Sequence, residues 1–154
     1  MLRDEINTAL KNAMKARDQR RVSTLRLVNA AIKNADIEAE TGKKAALSDA
    51  DLLPLLQKLI KQRQEAAEIY DKAGRDELAG QERGEIEIIR TFLPRQMSDA
   101  EAKAAIADAI KATGATGIKD MGKVMAALKQ AHAGQMDFGK AGGLVKALLT
   151  APAG

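Results

Sequence analysis

From Leu2 onward apolar side chains return at steps of three and four residues, and this rhythm limits what the chain can become more than any single motif does. Leu2, Ile6, Leu10, Ala13 and Met14 form one stripe while Arg3, Lys11 and Lys15 point elsewhere, which predicts an amphipathic helix over residues 2–17. Val22, Leu25, Val28, Ile32 and Ala35 keep the spacing from about residue 18 to about residue 40. Thr41-Gly42-Lys43-Lys44 then breaks it, with Gly42 placed as a C-terminal cap. Ser48, with Asp51 three residues on, reads as the capping-box start of a third helix. That helix carries Leu52, Leu55, Leu56, Leu59, Ile60, Ala66, Ala67 and Tyr70 along one face to Ala73, and Pro54 lies in its first turns, where a missing N–H costs least. Residues 75–93 read as a fourth helix with Leu78, Ile86, Ile89 and Leu93 in register. Gly80 and Gly84 weaken its first half by about 1 kcal/mol each relative to alanine, so a short piece followed by a longer one is the alternative there.

The residues that fill these stripes point the same way. Tyr70, Phe92 and Phe138 are the only aromatic side chains and tryptophan is absent, so the interior is built from Leu, Ile, Ala, Val and Met. Sheets recruit aromatic and β-branched residues, and this composition argues against them. Phe92-Leu93-Pro94-Arg95-Gln96-Met97 is the predicted boundary, because Pro94 forces Leu93 out of helical geometry and a second capping box, Ser98 to Glu101, follows at once. Beyond it three short helices are predicted, over 99–112, 120–133 and 137–150, the last with Phe138, Ala141, Leu144, Val145 and Leu148 on its apolar face. Gly114 and Gly134 sit where C-terminal glycines belong, and Asp120 and Asp137 where N-caps belong. Each helix is too short to persist alone, so a compact bundle is expected, with the Ala151-Pro152-Ala153-Gly154 end frayed. The fold expected is all-α: an N-terminal helical domain of about four helices over residues 1–95, then a C-terminal three-helix bundle over 96–154.

Catalytic inventories come back thin. Cysteine is absent, which removes disulfides, zinc-thiolate sites and thiol nucleophiles together and fits a reducing compartment. His132 is the only imidazole and cannot assemble a zinc site by itself; in the last turn of a short helix it reads as a partner for free carbonyls. Ser48 and Ser98 read as caps, and Ser23 lies inside a helix without the surroundings of a serine nucleophile. The carboxylate pairs Glu65 with Glu68 and Glu85 with Glu87 sit among Lys58, Lys61, Arg63, Arg83 and Arg90, a pattern of solvated helix faces. Neither a phosphate-binding P-loop nor a dinucleotide fingerprint is present, so no catalytic residue, metal or cofactor is expected. No stretch approaches the length needed to cross a bilayer and the N-terminal residues lack the apolar run of a signal peptide; the expectation is a cytoplasmic protein without a membrane partner.

Two constellations remain as candidate nucleic-acid contacts, on a net charge of +4. The first is a basic edge of Lys11, Lys15, Arg17, Arg20, Arg21 and Arg26 around the junction of the first two helices, offset locally only by Asp18. The second is the glycine-containing loop from Gly114 through Gly117, Lys119 and Gly122 to Lys123, which runs into a helix N-terminus and can offer N–H groups to an anion. For each the plain alternative is structural: solvated basic side chains in the first case, a tight turn capped by Asp120 in the second.

The sequence Gly114-Ala-Thr-Gly-Ile-Lys-Asp-Met-Gly-Lys-Val-Met125, followed by Gly134-x-x-Asp137 and Val145-Lys-x-Leu148, resembles the GatB/YqeY family. Arg21-Val-Ser-Thr-Leu-Arg26, Lys61-Gln-Arg63, Tyr70-x-x-Ala-Gly-Arg75 and Leu93-Pro-x-Gln-Met97 are similar to its YqeY-like branch. The resemblance implies an N-terminal helical domain followed by a three-helix tail domain like that of the B subunit of Asp/Glu-tRNA amidotransferase, where the tail contacts tRNA and other domains carry the chemistry. It implies tRNA and amidotransferase subunits as partners. It also associates the chain with carbon–nitrogen ligase chemistry that takes glutamine as amido donor, although the catalytic domains have no counterpart here. The leading expectation is therefore a tRNA-binding or amidotransferase-associated module, with a helical protein-interaction adaptor as the alternative.

Overall fold

Residues 1–42 and 47–150 are described by the computed structural model, so the break assigned to Lys43 and Lys44 and the fraying of residues 151–154 lie outside the described residues. Among those described the chain is all-α: seven α-helices, one turn of 3₁₀ helix and no strand. It divides into two compact units, Met1–Leu93 and Pro94–Gly154.

In the first unit α1 (Leu2–Ala16) buries Leu2, Ile6 and Ala13, while Met14, which the spacing put on the same stripe, stays 51% exposed. Arg17 ends the helix in the left-handed region at φ 57°, and the Asp18 N–H reaches back to the Ala13 carbonyl at 3.0 Å. Asp18 then caps α2 (Gln19–Thr41) by accepting the Arg21 N–H at 3.2 Å, so two residues turn the chain from one helix to the next. Gly42 closes α2 at φ −81°, a right-handed conformation for which glycine is not required. α3 (Asp49–Lys72) starts at the capping box of Ser48 and Asp51 and buries Leu52, Leu56, Ile60 and Ala67. Gly74 at φ 71° lets the Arg75 N–H close on the Tyr70 carbonyl at 2.8 Å. α4 (Asp76–Arg90) is continuous through Gly80 and Gly84 and stops three residues before the expected end. The N–H groups of Thr91, Phe92 and Leu93 bond three residues back, the tight winding forced by Pro94. Leu25, Val28, Ile32, Ile86 and Ile89 join Leu2, Ile6 and Ala13 of α1 and Leu52, Leu56 and Ile60 of α3 in one core.

The second unit starts with Pro94 to Met97 laid along the loop before its last helix: the Met97 N–H bonds the Gln135 carbonyl at 2.9 Å, and the Gln96 amide donates to the Gly134 carbonyl at 2.6 Å. α5 (Asp99–Thr113) begins at the Ser98–Glu101 capping box and ends at Gly114, φ 66°. After the 3₁₀ turn Ile118–Asp120 come α6 (Met121–Ala131) and α7 (Phe138–Thr150). Asp137 caps α7 as expected, accepting the Gly139 and Lys140 N–H groups at 2.9 and 3.2 Å. Asp120 holds the N-cap position of α6 as expected, but its side chain makes no cap bond to that helix. It closes the 3₁₀ turn, and its carboxylate turns back to accept the Thr116 N–H at 3.0 Å. The core is Ala105, Ile106, Val124, Leu128, Met136, Ala141 and Val145. α7 therefore buries the row through Ala141 and Val145, leaving Leu144 and Leu148, read as part of its apolar face, 39% and 53% exposed.

Candidate nucleic-acid interface

The residues of the basic edge lie about the junction of α1 and α2. Lys11 and Lys15 lie one turn apart on the exposed side of α1, Arg17 occupies the left-handed turn, and Arg20, Arg21 and Arg26 follow on the first turns of α2. All are exposed except Arg21, which is half-buried. A left-handed conformation costs a non-glycine residue about 1–2 kcal/mol, so the turn is bent at a cation although glycine would bend there more readily.

Ion pairing separates these side chains from the other arginines. Of the ten arginines in the chain, Arg3, Arg63, Arg83, Arg90 and Arg95 are paired, with Asp36, Glu85, Asp71, Glu87 and Glu101 respectively. Among the described residues none of Arg17, Arg20, Arg21, Arg26 and Arg75 has such a partner, and four of these five stand at the α1–α2 corner. The one acid nearby in sequence, Asp18, accepts the Arg21 backbone N–H and offsets only one of these charges. Guanidinium groups without carboxylate partners, gathered about one turn, are a means of attracting a polyanion.

The loop is built differently. Gly114 needs its left-handed backbone to end α5, whereas Gly117 is extended at φ −161° and Gly122 lies in the first turn of α6; a Cβ on either of the latter would meet open space. The loop amides are already occupied by an internal anion. The Asp120 carboxyl is held below the usual aspartate range, first by the Thr116 N–H and then, against the opposing effect of burial, by the Gly117 N–H and by Lys123 and Lys119. Lys119 and Lys123 themselves are exposed. The corner belongs to the first unit and the loop to the second.

The remaining chemistry-bearing residues have local duties. The His132 ring Nδ1 lies 3.3 Å from Gln135 Oε1, a side-chain partner in place of the free carbonyls expected for it. Glu85 is not simply solvated: it is 2.9 Å from Arg63 Nε and only 24% exposed. Neighbouring Glu82 is pushed up, first by burial and then by the Glu85 charge. Among the described residues no group of three or more His, Cys, Asp or Glu is placed to hold a metal ion, and no helix is long and apolar enough to cross a membrane. Sequence reasoning missed a groove of about 570 Å³ between the first turns of α5 and α7, with Ile106, Met136 and Ala141 in its lining and Lys103, Lys140, Asp99 and Asp137 around it. Its only signal in the sequence was Gly143 beside Leu144, a glycine in mid-helix with open space at its Cβ.

Comparison with known proteins adds a family and a correction. A family model described as Yqey-like protein matches residues 3–149. "Altered inheritance of mitochondria protein 41, mitochondrial" of Vanderwaltozyma polyspora is 37% identical over 84 residues, 54% of this chain and 44% of that protein. The protein of the same name from Lachancea thermotolerans is 42% identical over 84 residues, 54% of this chain and 43% of its own. An uncharacterized protein of Schizosaccharomyces pombe is 35% identical over 94 residues, 61% of this chain and 73% of its own. The match thus spans less than half the length of the first two relatives. Their names overturn the expectation of a cytoplasmic location. That expectation rested on the lack of an apolar leader, which marks secretion and does not separate the cytoplasm from an organelle whose import signals are amphipathic and basic.

Proposed function

The chain belongs to the Yqey-like protein family, and from that premise we propose that it is a tRNA-binding module without a catalytic site of its own, gripping the nucleic-acid backbone at the α1–α2 corner. One observation carries the reading: among the described residues the guanidinium groups of Arg17, Arg20, Arg21 and Arg26 have no carboxylate partner, while the other arginines are almost all paired with one. With three aromatic side chains in all, base stacking has little to work with, so recognition goes through shape and phosphate. Lys119 and Lys123 are secondary contacts, because Asp120 already answers their charge. On this reading residues 1–95 act as the domain that carries the corner and residues 96–154 as the tail-like three-helix domain.

A gel mobility shift with tRNA at low salt tests this. Binding is expected to weaken with a log–log salt slope of about −3 for four phosphate contacts. Arg17→Ala, Arg21→Ala and Arg26→Ala combined should abolish most of it, and Lys119→Ala with Lys123→Ala should cost less. Absence of a shift at low salt, or a shift indifferent to the three arginines, sinks the reading.

The groove between α5 and α7, with the exposed Leu144 in its lining, favours a second reading, a helical adaptor that docks directly on a protein. Nuclease treatment separates the two, since a partner bridged by RNA is lost and one docked directly is kept.

A further inference from the structure

α4 carries a glycine where its helix would be more stable with alanine, and Arg20 supplies the reason. Gly84 lies half-buried in the body of α4. A Cβ on it would stand 2.7 Å from Arg20 Nη1, 3.2 Å from Arg20 Cδ and 3.3 Å from Arg20 Cζ, so the guanidinium lies against bare helix backbone at a distance that no side chain would permit. Gly80, one turn earlier on the same helix, has nothing within 4 Å; the close approach belongs to Gly84 alone. Among the described residues no carboxylate forms an ion pair with Arg20, while Glu85 and Glu87 of α4 pair with Arg63 and Arg90. A long side chain with many rotamers is thus seated by packing, and among the described residues its donors have no carboxylate partner.

We propose that Gly84 is a positioning residue of the anion-binding corner. By lacking a Cβ it seats the Arg20 guanidinium on α4 and presents its free donors to a backbone phosphate. This deepens the RNA reading and rests on it. It extends the interface from α1 and α2 to a helix that contributes no charge of its own to it. An arginine already ordered in the free protein loses less conformational freedom when it meets phosphate, so the seat raises affinity without adding a contact.

The test compares wild type with Gly84→Ala, Arg20→Ala and the double variant, using bulk tRNA at low salt, thermal unfolding, and NMR relaxation of the arginine Nε–H groups. In Gly84→Ala the new methyl group pushes the guanidinium off its seat, which the flexible side chain allows. The unfolding midpoint should rise, because alanine is the better helix former. The affinity for tRNA should nevertheless fall about fivefold, close to the loss in Arg20→Ala. The double variant should be no weaker than Arg20→Ala alone, the non-additivity of two residues acting as one. The Arg20 Nε–H should be rigid in wild type and mobile in Gly84→Ala. A merely structural glycine would leave affinity unchanged in Gly84→Ala, and that result overturns the proposal, as does an Arg20 signal in wild type as mobile as those of Arg17 and Arg26. Failure of wild type to bind tRNA while Arg20 is rigid overturns instead the RNA reading, and the phosphate role with it.

Discussion

Glu101 shows what one residue can reveal before and after folding. As the third residue of α5 it accepts the Ser98 N–H at 3.1 Å, the half of the capping box legible in the sequence. It also takes the guanidinium of Arg95, six residues back across the turn that Pro94 opens, and no local pattern announces that contact. Together they hold its carboxyl at about 2, from the ordinary 4.5, with Arg95 the largest cause and the Ser98 amide and hydroxyl next. A lowered folded pKa means that the ionised form is favoured by the fold, so the stabilisation is complete above pH 4.5 and is lost as pH falls from there toward about 2. Denaturant unfolding at a series of pH values should show a shallower acid decline for Glu101→Gln than for wild type over that window. Identical declines would mean that the pair contributes nothing. Asp120 teaches the complementary lesson: the residue type of a cap was correctly noticed, but the direction of its carboxylate depended on a 3₁₀ turn that spacing does not display.

At the scale of elements, helix starts were more legible than helix faces. Ser48 and Ser98 announce α3 and α5 because a cap acts within three residues of itself. The buried face of α7 was misjudged because its apolar residues span a stripe wider than its neighbours cover. Ala141 and Val145 went in while Leu144 and Leu148 stayed out, a choice made by α5 and α6 rather than by α7. The two glycines of α4 look alike in sequence and differ in the fold. Gly80 is exposed with open space at its Cβ, so Gly80→Ala should raise stability by about 1 kcal/mol in chemical denaturation, helix propensity being the only quantity changed. A loss of stability there would show a contact that the open space does not suggest.

Across the whole molecule two cores form with no residue in common, one around Ile6, Leu25, Leu52 and Ile89, the other around Ile106, Val124, Leu128 and Val145. Ile106→Ala, which empties a fully buried site at a cost of about 2–5 kcal/mol, should reduce amide hydrogen-exchange protection in α5, α6 and α7 and leave that of α1 to α4 unchanged. Equal loss in both units would show that they unfold together. The helical rhythm, the caps at Ser48, Asp18, Ser98 and Asp137, and the end of α4 before Pro94 were determined by the sequence itself, because each depends on residues within about four positions of one another. Only the tertiary structure decided which charges remain free. Pairings such as Arg3 with Asp36 and Arg63 with Glu85, and the seat of Arg20 on Gly84, join residues distant in the chain. Among the described residues they separate the arginines of the α1–α2 junction, which have no carboxylate partner, from others that look the same in sequence.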